Sequence, residues 1–215
     1  MKLVLASNNA KKLAELQALF DGLGIELVRQ GELGVSEAEE PHITFIENAL
    51  AKARHASAAT GLPAIADDSG LCVDALGGMP GVNSANYATV AASAGEALGR
   101  EAIRRSQDDA NNALLLDKLR DVQDRRACFM CTLVAIRAAD DPQPLVAMGR
   151  WNGEILRVRE GTGGFGYDPL MFIPSFGTTV AALSREVKNA HSHRAIAAAQ
   201  MKQLMRDAWH LAGQA

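Results

Sequence analysis

The sequence contains no apolar run long enough to cross a membrane and no excess of charge of one sign. The N-terminal apolar stretch ends at Asn8, and no later segment approaches the ~20 apolar residues of a transmembrane helix. The 22 basic and 25 acidic side chains give a net charge of −3, so the chain has no general attraction to nucleic acid or anionic lipid. We expect a single globular domain over residues 1–215, in the cytoplasm, that binds a small ligand and neither nucleic acid nor membrane.

The sequence is also poor in cysteine, with three in all. Cys128 and Cys131 form a C-x-x-C inside a segment that is typical of a strand, where alternation places the two thiols on opposite faces. A redox pair or a zinc site would need the thiols to converge, with further ligands at suitable spacing. We therefore predict buried structural cysteines.

Hydrophobic periodicity in the first half of the chain predicts alternating strands and helices. A strand at residues 3–6 precedes a helical apolar stripe that stops near Gly22. The spacing of Thr44 and Glu47 is that of a helix capping box and predicts a helix to about Thr60. Further strands are predicted on both sides of that helix, at residues 25–28, 62–66 and 71–73, with a polar break at 67–70.

The second half predicts two helices, an antiparallel meander and a last helix. The helices lie between residues 88 and 122, on either side of a polar break at residues 106–109. The last helix begins near Ser192, which is a possible cap. The three strands of the meander are predicted at residues 127–136, 145–151 and 155–158.

The polar turn Ser7-Asn8-Asn9-Ala10-Lys11-Lys12 ends in two lysines where the first helix begins. A helix N-terminus carries partial positive charge and unpaired N–H donors, so lysines are unfavourable there unless an anion binds. Phosphate suits such a helix start, and serine and asparagine side chains add neutral donors. The turn is a candidate phosphate cradle, and the alternative is a solvated first turn.

The start of the last helix repeats this pattern. His191-Ser192-His193-Arg194 places an imidazole and a guanidinium in its opening turn, and Lys188 precedes it. Two basic helix starts could together grip a di- or triphosphate, the alternative being solvated surface. A zinc site at the two histidines would need further ligands close by, which the sequence does not offer. Lys52, in the middle of a predicted helix, is either a phosphate ligand or a solvated charge.

Acidic residues in two segments supply the opposite charge. Asp67 and Asp68 follow a predicted strand, and Glu39 and Glu40 lie in the loop before the capped helix. Mg²⁺ prefers a few carboxylate oxygens together with waters and substrate phosphates, so two such segments would suit a metal–triphosphate site. A carboxylate near that ion could also accept a proton from an attacking water. For the aspartate pair the alternative is an ordinary Asx turn.

Residues 161–169 are the densest glycine stretch of the chain and include Phe165 and Tyr167. Glycine permits close backbone approach to a ligand, and the two rings could stack on a planar base. Asp168 is a candidate to read a base edge by hydrogen bonding. The stretch matches neither the nucleotide P-loop nor the dinucleotide-binding motif. The alternative is a tight loop with two core aromatics.

Five motifs in unbroken order resemble those of the Ham1/RdgB family of inosine/xanthosine triphosphate pyrophosphatases. Each motif is far more specific in this series than alone, and the resemblance runs from residue 1 to about residue 205. The motifs are Ser7-x-Asn9-x-x-Lys12, Thr44-Phe45-Ile46-Glu47-Asn48-Ala49, Ala66-Asp67-Asp68-Ser69-Gly70-Leu71, Gly163-Gly164-Phe165-Gly166-Tyr167-Asp168-Pro169 and Ser192-His193-Arg194.

The resemblance implies an ITPase-like α/β fold, with an elongated mixed β-sheet, flanking helices and two lobes around a central active-site cleft. It implies Mg²⁺-dependent hydrolysis of the non-standard purine nucleoside triphosphates ITP, dITP and XTP to the monophosphate and pyrophosphate, which keeps deaminated purines out of DNA and RNA. It further implies a homodimer. A sensor that binds deaminated purine nucleotides without cleaving them is the alternative, and a pyrophosphatase for modified pyrimidine or methylated nucleotides is a weaker one.

The matching residues take on roles by this resemblance. Asp68 would be the catalytic carboxylate that binds Mg²⁺ and activates water, with Asp67 beside it and Glu39 or Glu40 as a remote metal ligand. Ser7, Asn9 and Lys12 would hold the phosphates, with Lys52 assisting and Ser69 contacting the substrate. Asn8, Ala10 and Lys11 complete the predicted substrate-binding turn, although Lys11 falls outside the motif. The base would be contacted by Phe165, by Gly166, Tyr167 and Asp168, and by Lys188, His193 and Arg194, the last three reaching base or phosphates.

Base discrimination would depend on the 6-keto group. Adenine carries a 6-amino donor where hypoxanthine carries an acceptor, so a lysine, histidine or arginine donor would be left unpaired by ATP. Guanine shares the 6-keto group, so its rejection requires another contact.

The sequence departs from the family at one position, where Asn86 replaces a frequent arginine. Any contribution of that positive charge to the site or to the dimer surface is therefore in doubt.

Overall fold

The structure, a computed structural model, describes residues 1–89 and 100–211. Its strands are β1 (Lys2–Leu5), β2 (Glu26–Arg29), β3 (Ala64–Val73), β4 (Arg126–Ile136), β5 (Leu145–Ile155), β6 (Met171–Ile173) and β7 (Thr178–Thr179). Its α-helices are α1 (Ala10–Leu19), α2 (Phe45–Thr60), α3 (Arg100–Lys118), α4 (Arg185–His191) and α5 (His193–Trp209). None of the helices in these ranges is both long and apolar enough to span a bilayer.

The strands form one mixed sheet in the order β2-β1-β3-β4-β5-β6-β7. β1 is parallel to both of its neighbours, and Leu5 lies level with Arg29 of β2 and Ile65 of β3. β6 is antiparallel to β5 and to β7. The mixed sheet with flanking helices that the resemblance implies is confirmed.

The chain divides into two compact units. Unit 1 consists of Met1–Ser69, Met130–Arg150 and Asn189–Ala215, and unit 2 consists of Gly70–Phe129 and Trp151–Lys188. Each unit has a hydrophobic core of its own.

The parallel strands of unit 1 have two different faces, because strand side chains alternate. One face packs on α1 and α5 through a core that includes Leu3, Leu5, Phe20, Ile65 and Met201. The other face packs on α2 through small side chains, which include Val4, Ala6, Ala53, Ala64 and Ala66. Successive residues of β3 therefore point alternately toward α1 and α5 and toward α2.

The core of unit 2 forms between α3 and the strands of that unit. It includes Leu115 and Leu119 of α3, together with Phe129, Tyr167 and Leu170. Tyr167 is 4% exposed and donates its hydroxyl hydrogen to the carbonyl of Ser84 at 2.9 Å. The glycine-rich loop of residues 161–169 is therefore anchored to this core by one of its own aromatic rings.

The two predicted helix caps are confirmed. The Oγ1 of Thr44 accepts a hydrogen bond from the Glu47 amide at 3.3 Å, and α2 ends at Thr60 as expected. The Oγ of Ser192 accepts one from the Ala195 amide at 3.2 Å, at the start of α5. In both cases a side chain satisfies an amide that the helix itself leaves unpaired.

The predicted break at residues 67–70 is wrong, because β3 is continuous from Ala64 to Val73. The Asx turn offered as its alternative is therefore wrong as well. Burying a charged side chain costs less free energy when a hydrogen-bonded counter-charge accompanies it. Asp67 and Asp68 both receive hydrogen bonds from lysine side chains, at 2.8 Å in each case, which is why the strand can continue through them.

Two further expectations are corrected. The helix break predicted at residues 106–109 does not occur, since α3 is continuous from Arg100 to Lys118, while residues 90–99 lie outside the described residues. The separate strand predicted at residues 155–158 is also absent from the described residues, because β5 itself extends to Ile155. The strand that pairs with β5 is β6, which lies further along the chain.

We predict that Gly149→Ala destabilises unit 1. A Cβ at Gly149 would lie 1.8 Å from the backbone oxygen of His193 and 2.7 Å from the backbone nitrogen of Ala197, so the first turns of α5 would have to move away from β5. Overpacking of this kind costs about 1–3 kcal/mol. Urea unfolding measures the loss, and Met148→Ala, which truncates a half-exposed neighbour, is the control. Equal stability of the two variants would contradict the close packing of α5 on β5.

Candidate active site

A polar pocket lies in unit 1 at the carboxyl ends of the parallel strands β1 and β2, beside β3. In open α/β sheets this edge is where ligands bind. The register of β1 with its two neighbours brings the residues that follow Leu5 and Arg29 to the same level as the middle of β3. The pocket is lined by Ala6, Ser7, Lys12, Gln30, Glu37, Ala38, Glu40, Lys52 and Asp67.

Strand alternation sends the adjacent carboxylates of Asp67 and Asp68 to opposite faces of the sheet. Asp67 contacts Lys12 of α1 and Arg194 of α5. Asp68 contacts Lys52 of α2. The two neighbouring aspartates therefore have two different electrostatic environments.

Asp67 has donors on both carboxylate oxygens. Oδ1 accepts from Lys12 Nζ at 2.8 Å and from Ser69 Oγ at 2.7 Å, while Oδ2 accepts from Arg194 Nε at 2.6 Å and from Cys131 Sγ at 3.6 Å. Burial would raise the pKa of Asp67, but Arg194 and Lys12 outweigh it and hold that pKa well below its ordinary value. In this arrangement the carboxylate of Asp67 holds two cations, those of Lys12 and Arg194, and the metal role expected of it stays a prediction.

Arg194 is buried among carboxylates. Its side chain is 3% exposed. Its Nε donates a hydrogen bond to Asp67 Oδ2 and its Nη1 donates one to Glu15 Oε2, each at 2.6 Å. The contact with base or phosphates expected of Arg194 is therefore not supported by this arrangement, since its charge is neutralised inside unit 1. The adjacent His193 is also buried, as the first residue of α5.

Asp68 has a much less favourable environment than Asp67. Its Oδ1 accepts from Lys52 Nζ at 2.8 Å, whereas its Oδ2 is buried and has no hydrogen-bond partner among residues 1–89 and 100–211. Burial raises the pKa of Asp68 to about 6, with Lys52 opposing the rise and Glu40 adding to it. A carboxylate whose pKa lies near neutrality and which has one oxygen without a hydrogen-bond partner is suited to accept a proton.

Lys52 lies between the acids of this pocket. Its Nζ donates to Asp68 Oδ1 at 2.8 Å, to Glu40 Oε2 at 3.0 Å and to the Asp67 carbonyl at 3.2 Å. Burial lowers the pKa of Lys52, but the two carboxylates more than compensate and the net shift is upward. The solvated charge that was the alternative for Lys52 is excluded, because the side chain is only 10% exposed.

The two glutamates left open by the sequence are distinguished by the structure. Glu40 lines the pocket and pairs with Lys52, whereas Glu39 is exposed and not part of the pocket lining. The orphaned Oδ2 of Asp68 and the half-exposed carboxylate of Glu40 are hard oxygen donors of the kind that Mg²⁺ prefers. No group of three or more His, Cys, Asp or Glu side chains could hold a metal within the described residues, so substrate oxygens or water would have to complete the shell.

The turn that follows β1 is organised by its own side chains. Ser7 Oγ accepts from the Asn9 amide at 3.2 Å, and Asn9 Oδ1 accepts from the Lys12 amide at 3.2 Å, so Asn9 caps α1. Ala10 is the first residue of α1, and the side chain of Lys11 lies outside what the structure describes. Ser7 and Lys12 are the members of the turn that line the pocket.

Asn8 connects the turn to the segment after β2. Its Oδ1 accepts from the Gly31 amide at 2.9 Å, and its Nδ2 donates to Glu37 Oε1 at 3.3 Å. A Cβ on Gly31 would lie 2.3 Å from Asn8 Oδ1, so any other residue here would displace the Asn8 side chain from this hydrogen bond. Asn8 thus holds the wall of the pocket.

A second group of predicted residues comes together within unit 2. Lys188 Nζ donates to Asp168 Oδ2 at 2.6 Å and lies 4.7 Å from the centre of the Phe165 ring. Asp168 Oδ2 also accepts from the Phe165 amide at 3.0 Å. Phe165 is 36% exposed and offers a ring for stacking, whereas the stacking role considered for Tyr167 is wrong, since its ring is in the core.

Residues of α3 that sequence reasoning missed hold this loop. The Gly166 amide donates to Asp108 Oδ2 at 2.9 Å, and Asn112 Nδ2 donates to the Gly166 carbonyl at 2.9 Å. The same helix contributes Asn111, whose Nδ2 donates to the Ser84 carbonyl at 3.2 Å. The i, i+4 spacing of Asp108 and Asn112 was the available signal, because it predicts one polar face of a continuous helix.

Other site residues that sequence reasoning missed lie in unit 1. They are Glu15, which pairs with Arg194, Cys131, which donates to Asp67, and Gln30, which lines the pocket. The two buried thiols of the C-x-x-C lie in β4, as predicted. Nothing in the sequence signals that Cys131 faces a carboxylate, since that contact depends on how β4 packs in the sheet. Asn86 is exposed at the end of a 3₁₀ turn.

The sequence is similar to those of known proteins of one family. The sequence model of the Ham1 family matches residues 3–204. A dITP/XTP pyrophosphatase of Leptothrix cholodnii is 68% identical over 212 residues, covering 99% of this chain and 100% of its own. A dITP/XTP pyrophosphatase of Methylibium petroleiphilum is 66% identical over 209 residues, covering 97% of this chain and 99% of its own.

Solved structures agree with the sequence comparison. A HAM1 protein from Coxiella burnetii superposes with a TM-score of 0.84 at 42% identity, over 97% of this chain and 100% of its own. The Staphylococcus aureus Ham1 protein superposes with a TM-score of 0.81 at 34% identity, over 96% of this chain and 99% of its own.

We predict opposite effects on stability for the two adjacent aspartates. Asp67→Asn leaves Arg194 buried with one of its two carboxylate partners lost, which is expected to cost about 3–5 kcal/mol. Asp68→Asn removes a buried charge and leaves Lys52 its contact with Glu40, so its free energy of unfolding at about pH 7.5 is expected to equal or exceed that of the wild type. Chemical unfolding of both variants checks this. A similar loss in both would show that the two environments are equivalent.

We also predict a pH dependence for the metal-free protein. The pKa of Asp68 is about 6 when folded, against about 3.9 when unfolded, so its contribution to stability is complete below about pH 4 and is lost as pH rises through 6. Asn does not titrate. Relative to Asp68→Asn, the wild type should therefore lose on the order of 2–3 kcal/mol between pH 4 and pH 7.5. Urea unfolding at both pH values measures it, and a constant difference would refute the raised pKa.

Proposed function

The chain belongs to the Ham1 family, and on that premise we propose that it hydrolyses the non-standard purine nucleoside triphosphates ITP, dITP and XTP to the monophosphate and pyrophosphate. The observation that carries the proposal is a contrast between two neighbouring residues of β3. Both carboxylate oxygens of Asp67 are hydrogen-bonded, whereas Asp68 has a raised pKa and one oxygen without a hydrogen-bond partner. The relatives named as dITP/XTP pyrophosphatases support the same substrates. Such an activity removes deaminated purines from the nucleotide pool.

Binding of the triphosphate is assigned to the pocket of unit 1. Ser7 and Lys12 line it at the start of α1, where the helix dipole favours an anion. Lys52 contributes a second cation from α2, and the pocket is closed on one side by the segment that Asn8 holds. Asp67, which is itself paired with Arg194, positions the ammonium of Lys12 in this pocket.

Hydrolysis is assigned to Asp68. Asp68 accepts a proton from the attacking water, the water oxygen bonds to the α-phosphorus, and the bond between the α-phosphorus and the bridging oxygen breaks to release pyrophosphate. Lys52, 2.8 Å from the other oxygen, keeps Asp68 oriented and offsets negative charge. Asp68 and Glu40 would hold the divalent cation, Mg²⁺, which when bound supplies charge neutralisation at the phosphates.

Recognition of the base is assigned to the loop of unit 2. Phe165 provides the ring on which hypoxanthine or xanthine stacks, and the ammonium of Lys188 is the donor for the 6-keto oxygen. Adenine would present a 6-amino group to that donor and leave it unpaired, which is the type of mismatch that gives strong discrimination.

We further propose that the enzyme is a cytoplasmic homodimer.

We predict that a nucleotide panel with pyrophosphate detection in the presence of Mg²⁺ will show rapid release from ITP, dITP and XTP and much slower release from ATP. Asp68→Asn should lower kcat by about 10²–10⁴-fold, because the general base is lost while the fold is kept. Equal turnover of ATP and ITP would contradict base discrimination. Tight Mg²⁺-dependent binding of ITP without pyrophosphate release would indicate the sensor instead.

The two glutamates provide a matched control for the metal assignment. Glu40→Gln should raise the Mg²⁺ concentration needed for half-maximal rate, whereas Glu39→Gln, an exposed neighbour, should leave that concentration unchanged. Both variants remove one negative charge, so a general electrostatic effect would move both alike.

A further inference from the structure

Gln30 lies at the carboxyl end of β2 and on the face of the sheet that carries the catalytic pocket. It follows Arg29, whose backbone is extended, so the alternation of β2 continues to residue 30. Leu27 belongs to the core that faces α1 and α5, which places Gln30 on the opposite face. Asp68 and Lys52 lie on that same face, and Gln30 lines the pocket with Lys52 and Glu40.

The carboxamide of Gln30 is buried without being used by the protein. The residue is 2% exposed, and within residues 1–89 and 100–211 its side chain makes no hydrogen bond to the protein. Its carboxamide is not one of the fully buried groups without a partner, so its remaining exposure is to the pocket that Gln30 lines. A buried carboxamide with no partner is unfavourable unless a ligand or water satisfies it. Gln17, in the same unit, shows the structural alternative: its Nε2 donates to the Ile25 carbonyl at 3.2 Å and its Oε1 accepts from the Leu27 amide at 3.0 Å.

The backbone holds Gln30 in this position. Its carbonyl accepts from the Val35 amide at 3.0 Å, and the next amide, that of Gly31, donates to Asn8 Oδ1 at 2.9 Å. The contact with Asn8 joins this segment directly to the phosphate turn, and Gly31 allows no Cβ between them. The backbone around Gln30 is therefore fixed, and Gln30 lines the same pocket as Ser7 and Lys12.

We infer that Gln30 is a substrate-binding residue, whose Nε2 donates a hydrogen bond to a non-bridging oxygen of the triphosphate. The inference rests on the proposed function for the identity of the anion. A neutral donor suits this position because Lys12 and Lys52 already carry the positive charge of the pocket, and both are held by carboxylates. The carboxamide adds a directional contact to an anionic oxygen without another charge to bury.

The test is isothermal calorimetry with inorganic tripolyphosphate and Mg²⁺, a probe without a base, on the full chain. Gln30→Met keeps the length of the side chain and removes its donor, and we expect it to bind the probe about 10- to 100-fold more weakly than the wild type. Because no protein hydrogen bond is lost, its melting temperature without ligand should equal or exceed that of the wild type. Gln17→Met is the matched control, expected to melt lower and to keep its affinity for the probe.

The outcomes separate this inference from the proposed function. Unchanged affinity in Gln30→Met, or a wild type that does not bind tripolyphosphate, would overturn the role of Gln30. Weaker binding accompanied by a melting temperature as low as that of Gln17→Met would also overturn it, because the carboxamide would then be structural. Failure of the wild type to release pyrophosphate from ITP would refute the proposed function, while the tripolyphosphate comparison would still decide whether Gln30 binds anions.

Discussion

The carboxylate of Asp67 is the point on which unit 1 depends. It lies inside β3 with its side chain fully buried, and it joins Lys12 of α1 to Arg194 of α5. Removing an ionised group from water is costly, and here four hydrogen-bond donors on the two oxygens offset that cost. The basic residues at two helix starts, which suggest an anionic ligand, therefore find part of their counter-charge in the protein.

The same strand uses its alternation to separate structure from chemistry. Four donors bind the two carboxylate oxygens of Asp67. The next residue, Asp68, is hydrogen-bonded to Lys52 through one oxygen, and its other oxygen has no partner among the described residues. A buried carboxylate in this second state is unfavourable for folding and useful for taking a proton. Unit 1 thus combines one aspartate whose carboxylate is fully paired with another that has one buried oxygen without a partner.

Much of this site was predictable from residue type and local spacing. The capping residues Thr44 and Ser192 and the polar turn after β1 follow from short-range rules. Those rules did not separate the exposed ring of Phe165 from the buried ring of Tyr167. The resemblance to the family supplied the mixed sheet and the role of Asp68. Local pattern failed where distant side chains decide, since β3 passes through two aspartates only because lysines from other helices pair with them.

The same reason explains the other corrections. A polar stretch such as residues 106–109 resembles a helix break until Asp108 and Asn112 are seen to hold the backbone of Gly166. Arg194 resembles a ligand for phosphate until Glu15 and Asp67 enclose it. The sequence does not indicate Gln30 as a site residue, because its proposed role depends on the lack of a hydrogen-bond partner for its side chain within the described residues.

The measurement that tests the central claim most directly is an NMR titration of the side-chain carboxyl groups in the ligand-free protein, with Asp67→Asn and Asp68→Asn used to assign the two signals. The account predicts that Asp68 titrates near pH 6 and that Asp67 stays ionised to well below pH 3.8. Two aspartates that both titrate near pH 4 would contradict the division of roles between them.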